Sequence, residues 1–258
     1  MRLMLQLTLL IFCGPLFAFD HSDWDALLEE NVAPLRGGVA TAVDYAAIGR
    51  DQERLDAYLD SLSDVSIQGF KDFSRDEKLA FLINAYNAYT IKLILLEDIP
   101  DSIRDIGNFL SGPWDKEFIV LLGKARTLDE IEHEMIRGNP ELMDPRIHFA
   151  VNCASIGCPA LRPEAYTADK LDAQLEDSTR KFLSDKQRNR YNSERKALEI
   201  SKIFDWYEDD FEDAAGSLAA YLLPYAEELG VPQNKRKQMK DDDMTIRHLD
   251  YDWALNKQ

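Results

Sequence analysis

The chain has 258 residues, 45% of them hydrophobic, and its 30 Lys and Arg against 47 Asp and Glu give a formal net charge of −17. Phosphate backbones and anionic bilayers repel such a chain, which argues against nucleic acid as a partner; the one basic cluster, Lys235-Arg236-Lys237, is closely followed by Asp241-Asp242-Asp243. The length suffices for one large domain or two small ones with a substantial core.

Residues 1–18 carry Arg2, then an apolar run without an acidic residue that ends Leu16-Phe17-Ala18 just before Asp20. This pattern predicts a secretory signal peptide cleaved near Ala18, hence an exported protein, periplasmic or secreted. The run is shorter than the roughly 20 residues a bilayer span needs, and no later segment is expected to reach that length. Cys13 follows Phe12, where a lipoprotein would carry a small residue, so no lipid anchor is expected.

Residues 24–62 read as mostly helical, with Leu27, Leu28, Leu55, Tyr58, Leu59 and Leu62 at helical spacing and a loop around residues 34–38. A strong helix follows over 76–97, opened by Ser74 as N-cap with Glu77 three residues on. Being apolar nearly all round, it belongs at the centre of the domain. Asn84 and Asn87 share one of its faces, where buried amides require partners; they read either as caps of a neighbouring loop or as groups that orient a substrate.

Residues 117–122 and 125–126 read as a strand and its return around Gly123-Lys124. Thr127 and Glu130 form a capping box for a short helix that Gly138 ends before Pro140. On this helix Glu132 falls within the apolar face of Leu128, Ile131, Met135 and Ile136, and His133 at its margin. A core-side carboxylate is either a structural ion-pair or hydrogen-bond partner or an orienting or proton-transferring acid.

Residues 147–152 read as a strand with His148, Ala150 and Asn152 on one side and Phe149, Val151 and Cys153 on the other. Beyond it come an amphipathic helix over 166–183, a strand over 197–200, helical segments starting near Phe204 and Ser217, and a last strand within 244–253. Without a βαβ rhythm, an internal repeat or a linker, the economical reading is one helix-rich α+β domain over residues 19–258.

The chemistry concentrates at His148, Cys153 and Cys158, in a His-x4-Cys-x4-Cys spacing that admits three meanings. Two cysteines remaining after signal cleavage suit a disulfide, with Gly157 easing the turn between them. A metal site would use both thiols and one or both histidines, but the spacing is wider than a usual zinc knuckle, so zinc is a minor option and no cofactor is expected. A nucleophilic Cys153 would be activated by backbone N–H groups and an imidazole, with the amides of Ala154 and Ser155 as an oxyanion hole. A regular strand would hold His148 about 16 Å from Cys153, at roughly 3.3 Å per residue, which favours His133 as the base and leaves His148 to a separate polar cluster with Asn84 or Asn87.

The run from His148 to Pro159, preceded by Leu128-Asp-Glu-Ile-Glu-His133 and Phe81-Leu-Ile-Asn-Ala-Tyr-Asn87 and followed by Ile203-Phe-Asp-Trp-Tyr207, resembles the domain of unknown function 547 family. The closing Asp250-Tyr-Asp-Trp-Ala-Leu-Asn256 is similar to that family's end, so the resemblance covers roughly residues 75–256. It implies a papain-like or transglutaminase-like α+β fold with a small, mainly antiparallel sheet. The family's Glu, His and Cys site falls on Glu132, His133 and Cys153, with His148 as the alternative imidazole. Asn84, Asn87, Asn152 and Ser155 are candidates for binding or orienting a substrate.

The resulting expectation is an exported cysteine-dependent hydrolase or acyl transferase acting on an amide or peptide bond, with a peptide or envelope protein as substrate. Its competitor is a noncatalytic envelope protein or peptide-binding module held by a Cys153–Cys158 disulfide. The sequence leaves the oligomeric state open.

Overall fold

The computed structural model describes residues 18–107 and 111–258. The expected leader, with Arg2 and Cys13, therefore lies outside the described residues except for Ala18.

Leading into the core, α1 (Ser22–Asn31) runs into a hairpin of β1 (Val32–Leu35) and β2 (Ala40–Val43), paired antiparallel with Val32 opposite Val43. The expected loop around residues 34–38 is thus the tip of a hairpin, turned by Gly37 and Gly38 at positive φ. Helices α2 (Tyr45–Arg50), α3 (Gln52–Ser63) and α4 (Ile67–Asp72) then pack around α5 (Arg75–Leu96).

Helix α5 starts as its sequence dictates. Ser74 Oγ accepts from Glu77 N–H and the Glu77 carboxylate accepts from Ser74 N–H at 2.7 Å, a closed capping box. Every residue from Leu79 to Ile91 is buried. With 22 residues, α5 is long and apolar enough to cross a membrane by composition, which corrects the expectation that no later segment approaches that length. Its sides face protein, as the all-round apolar pattern requires of a core helix.

A second hairpin pairs β3 (Ile119–Leu121) with β4 (Lys124–Arg126) through Leu122 and Gly123, both at positive φ. Next comes a π-helix, Glu130–Arg137, in place of the expected α-helix. Its capping box is formed as expected, with Glu130 N–H on Thr127 Oγ1 at 3.0 Å and Thr127 N–H on Glu130 Oε2 at 2.8 Å. The wider i→i+5 bonding persists to its end, where Gly138 N–H reaches His133 O at 2.9 Å.

The expected strand at 147–152 is instead a 3₁₀ helix, Pro145–Phe149, followed by a turn. Asp144 caps it by accepting from Arg146 N–H at 3.0 Å, and Pro145 at its first position sets φ for a helical turn. The apolar run misled because it is buried on all sides. Ile147, Ala150 and Val151 enter the cluster around α5, whereas Phe149 enters a second cluster with Phe182, Phe204 and Phe211. A short run buried all round has no periodicity that separates strand from helix.

The second cluster is enclosed by α6 (Leu171–Ser184), β5 (Arg190–Asn192), β6 (Ala197–Ile200), α7 (Ile203–Trp206), α8 (Glu208–Ala215), α9 (Leu218–Leu222), α10 (Arg236–Lys240) and β7 (Thr245–His248). Strand β6 is central, antiparallel to β5 and parallel to β7, with Leu198 opposite Ile246. Among the described residues the architecture is a helix-rich α+β fold with two antiparallel hairpins and one small mixed sheet.

After β7 the chain runs back over the cysteine segment. Ile156 N–H donates to Ala254 O and Gly157 N–H to Asp252 O, both at 2.8 Å, while Asn256 N–H donates to Ala154 O at 3.1 Å. The expected last strand therefore splits: β7 joins the sheet, and residues 251–257 clamp the cysteine loop.

Candidate active site

Asn152 organises the cysteine loop. Its Oδ1 accepts from Ala154 N–H at 2.9 Å and its Nδ2 donates to Pro159 O at 2.7 Å, which closes the turn around Cys153. Ala154 sits at φ 58°, a left-handed conformation that costs a non-glycine residue energy and that these bonds hold in place. The Ala154 amide is thereby occupied, so the expected oxyanion hole of Ala154 and Ser155 loses one of its two donors. Asn87 ties the same segment to α5: its Nδ2 donates to Ala150 O at 3.0 Å and its Oδ1 accepts from Asn152 N–H at 2.8 Å. Asn84 makes the equivalent pair of bonds with the backbone of Tyr166. Both amides are spent on loops.

Cys153 is half-buried and Cys158 buried, and both are free thiols with Sγ atoms 2.9 Å apart. Ser155 Oγ lies 3.2 Å and the Tyr251 hydroxyl 3.1 Å from Cys153 Sγ. The hydrogen bond with Cys158 is the main cause that holds the Cys153 thiol below its ordinary pKa; burial opposes it, and the Ser155 and Tyr251 hydroxyls reinforce it. Once Cys153 ionises, the Cys158 S–H is the donor of that bond. Cys158 moves the other way, well above its ordinary value, through burial and then through its bond to Cys153. Burial and the nearby Cys153 charge keep Tyr251 protonated and hence a donor.

Cys153 opens onto a cavity of about 540 Å³ that Glu132, His133, His148 and Tyr207 also line. The 3₁₀ helix Pro145–Phe149 and the turn that follows it, in place of an extended strand, leave both His148 and Cys153 lining this cavity. His148 is buried, and its Nε2 lies 2.7 Å from Asp210 Oδ2 while its Nδ1 has no hydrogen-bond partner among the described residues. Burial holds the imidazole below its ordinary pKa against the opposing pull of Asp210. A neutral ring beside a carboxylate donates from Nε2, which leaves the lone pair on Nδ1. Asp210 resists its own burial through bonds from His148 and Arg137 and stays at about 2, an anion at neutral pH.

His133 is placed differently. Its Nδ1 is 2.7 Å from Arg137 Nη1, and since a guanidinium only donates, that lone pair is occupied; Nε2 faces Asp129 at 3.5 Å. Arg137 also binds Asp210 Oδ2 through Nε at 2.6 Å and lies 4.9 Å over the Tyr207 ring. Tyr207 stacks on His148 at 3.9 Å and donates its hydroxyl to Glu132 Oε1 at 2.8 Å. Burial, then the Glu132 charge, keeps this phenol protonated. No hydrogen bond among the described residues joins Cys153 to either histidine.

Sequence reasoning missed Tyr207, Asp210, Arg137 and Tyr251 as site groups. Tyr207 and Tyr251 stand inside motifs quoted above, so their signal was present. Asp210 is hidden among Glu208, Asp209 and Glu212 on an acidic helix, where only the fold singles out one carboxylate. The described residues contain no group of three His, Cys, Asp or Glu side chains arranged to hold a metal ion.

The fold and site together define a helix-rich α+β protein in which Cys153 and the Asp210-anchored His148 line one cavity. Residues 70–183 match the family model described as "Protein of unknown function, DUF547". The match contains Glu132, His133, His148 and both cysteines but ends before Tyr207, Asp210 and Tyr251. No curated protein and no solved structure matches the chain.

Proposed function

We propose that this chain is a cysteine-dependent hydrolase or acyl transferase acting on an amide or peptide bond, with Cys153 as nucleophile and His148, anchored by Asp210, as base. The observation that carries this reading is the buried His148 Nδ1, without a partner among the described residues, on a ring fixed by Asp210 that lines the cavity onto which the acidified Cys153 opens. His133 is the weaker base because Arg137 occupies its lone pair. Hydrogen bonds between catalytic groups are often long before substrate binds, so an open gap between sulfur and imidazole is compatible with the role.

In the proposed cycle the Cys153 proton passes to His148 Nδ1 as the sulfur attacks the carbonyl carbon. The imidazolium returns that proton to the leaving amine as the C–N bond breaks, leaving a thioester on Cys153. Water, or an amine in acyl transfer, then attacks the thioester with His148 again as base. Asp210 holds the ring's orientation and stabilises its charged form. Glu132 acts through Tyr207, whose ring packs on the imidazole, and so positions it. The papain-like or transglutaminase-like architecture, an exported location and a peptide or envelope substrate belong to the same proposal. An aromatic wall of Trp206, Tyr251 and Trp253, with ring centroids 4.5 to 5.5 Å apart, gives a peptide a surface to lie on.

The test uses activated esters and a peptide-amide library with the reduced protein. Cys153→Ser should abolish turnover with an unchanged melting temperature. Asp210→Asn should lower kcat by about 10²-fold or more, as loss of the group that orients a catalytic histidine does elsewhere. Full activity in Cys153→Ser would sink the assignment.

A further inference from the structure

We infer that Cys153 and Cys158 form a reactive dithiol that reduces a small-molecule disulfide, an activity separate from acyl chemistry. Their placement is that of an attacking and a resolving thiol: Cys153 opens onto the cavity, whereas Cys158 is 5% exposed with its Sγ 2.9 Å behind. The backbone fixes this pairing. Cys153 N–H points at Cys158 Sγ at 2.9 Å, and the Cys158 carbonyl is bound by the buried guanidinium of Arg188. Arg188 is itself held by Asp185 Oδ2 at 2.7 Å and Val39 O at 2.8 Å. The acyl cycle uses Cys158 only as the hydrogen-bond donor that acidifies Cys153, and none of its steps needs a second sulfur nucleophile at this position.

The exchange balances as follows. The Cys153 thiolate attacks one sulfur of R–S–S–R, the S–S bond breaks, and the departing RS⁻ takes up a proton. Cys158 then loses its proton and attacks the Cys153 sulfur, expelling the second RS⁻, which is also protonated. The dithiol gives up two electrons and becomes a disulfide; the external disulfide becomes two thiols.

The order of steps follows from local electrostatics. Burial and the interaction with Cys153 both keep Cys158 protonated. Forming the mixed disulfide removes the Cys153 charge, so the resolving thiol is released from one of these restraints only after the first step. The resulting intramolecular disulfide takes the proposed nucleophile out of acyl chemistry until a thiol reopens it.

The experiment incubates the reduced, full-length protein with glutathione disulfide and reduced glutathione at varied ratios, without oxygen, then traps free thiols by acid alkylation and maps peptides by mass. Wild type should yield a Cys153–Cys158 linked peptide, two hydrogens lighter than the reduced form, whose fraction follows the ratio in both directions. Cys158→Ser should stop at a glutathione adduct on Cys153, and Cys153→Ser should form neither product. Circular dichroism and melting establish that the variants fold, and the wild-type titration decides the matter without them. A wild type that stays reduced, that stops at the adduct, or whose link reopens only on unfolding would overturn the inference. No amide substrate enters this assay, so its failure leaves the acyl proposal standing.

Discussion

Replacing Tyr251 by Phe isolates one source of Cys153 acidity. The substitution removes the hydroxyl 3.1 Å from Cys153 Sγ and keeps the ring that packs on Trp206 and Trp253. A hydrogen bond to a charged group contributes about 1.5–3 kcal/mol, and 1.36 kcal/mol corresponds to one pKa unit, so the full loss amounts to about one to two units. Cys158 and Ser155 remain as donors, which places the expected rise near the lower end, about one unit. At a pH below both values this lowers the alkylation rate about tenfold. The assay is the second-order rate of iodoacetamide labelling of reduced protein from pH 5 to 10, with Cys153 followed by peptide mass. Cys158→Ala should move the profile further, since Cys158 is the leading cause of the depression. An unchanged or lowered Cys153 pKa in Tyr251→Phe would refute the reasoning.

Other substitutions probe the scaffold. A Cβ at Gly157 would lie 2.9 Å from three atoms of the Tyr251 ring, so Gly157→Ala should displace that ring and raise the labelling pKa of Cys153 as Tyr251→Phe does. Asn87→Ala leaves Ala150 O and Asn152 N–H without their partner and should destabilise by about 2–4 kcal/mol in urea denaturation, with an unchanged m-value. Asn84→Ala should cost a similar amount yet leave Cys153 labelling unchanged, because its bonds go to Tyr166. Acid should destabilise the fold in two stages. Burial pushes His21 down to about 4, with Asp20 opposing, so the unfolded state binds the extra proton first. Its contribution of roughly 3 kcal/mol is present above pH 6.5 and is lost as pH falls through that window; His148 acts in the same direction. Asp210 acts lower, between about 3.9 unfolded and about 2 folded. Urea midpoints against pH test this, with His21→Gln flattening the first stage; a midpoint that rises from pH 6.5 to 4 contradicts it.

What could be read from the sequence was whatever local chemistry dictates. The Ser74 and Thr127 capping boxes, the all-apolar α5, the hairpin around Gly123 and the strand at residues 197–200 all depend on neighbours a few positions apart. The segment at residues 145–152 was misread because its conformation is decided by two clusters that meet on it from opposite sides, and its apolar residues carry no record of that. The same misreading displaced His148 from the cysteine. The acidic helix α8 and the returning segment 251–257 reach the site from far along the chain, so Asp210 and the Tyr251 contact to Cys153 needed the fold. The π-helix is a widening of an ordinary helical pattern by one residue per turn of bonding, for which periodicity gives no warning.

The most direct measurement is intact-mass analysis of reduced protein mixed with an activated acyl ester, following formation and discharge of a thioester on Cys153. The account predicts an acyl adduct that Cys153→Ser lacks, that persists in His148→Ala, and that discharges at the wild-type rate in His133→Ala. An adduct that discharges normally in His148→Ala and persists in His133→Ala would contradict it.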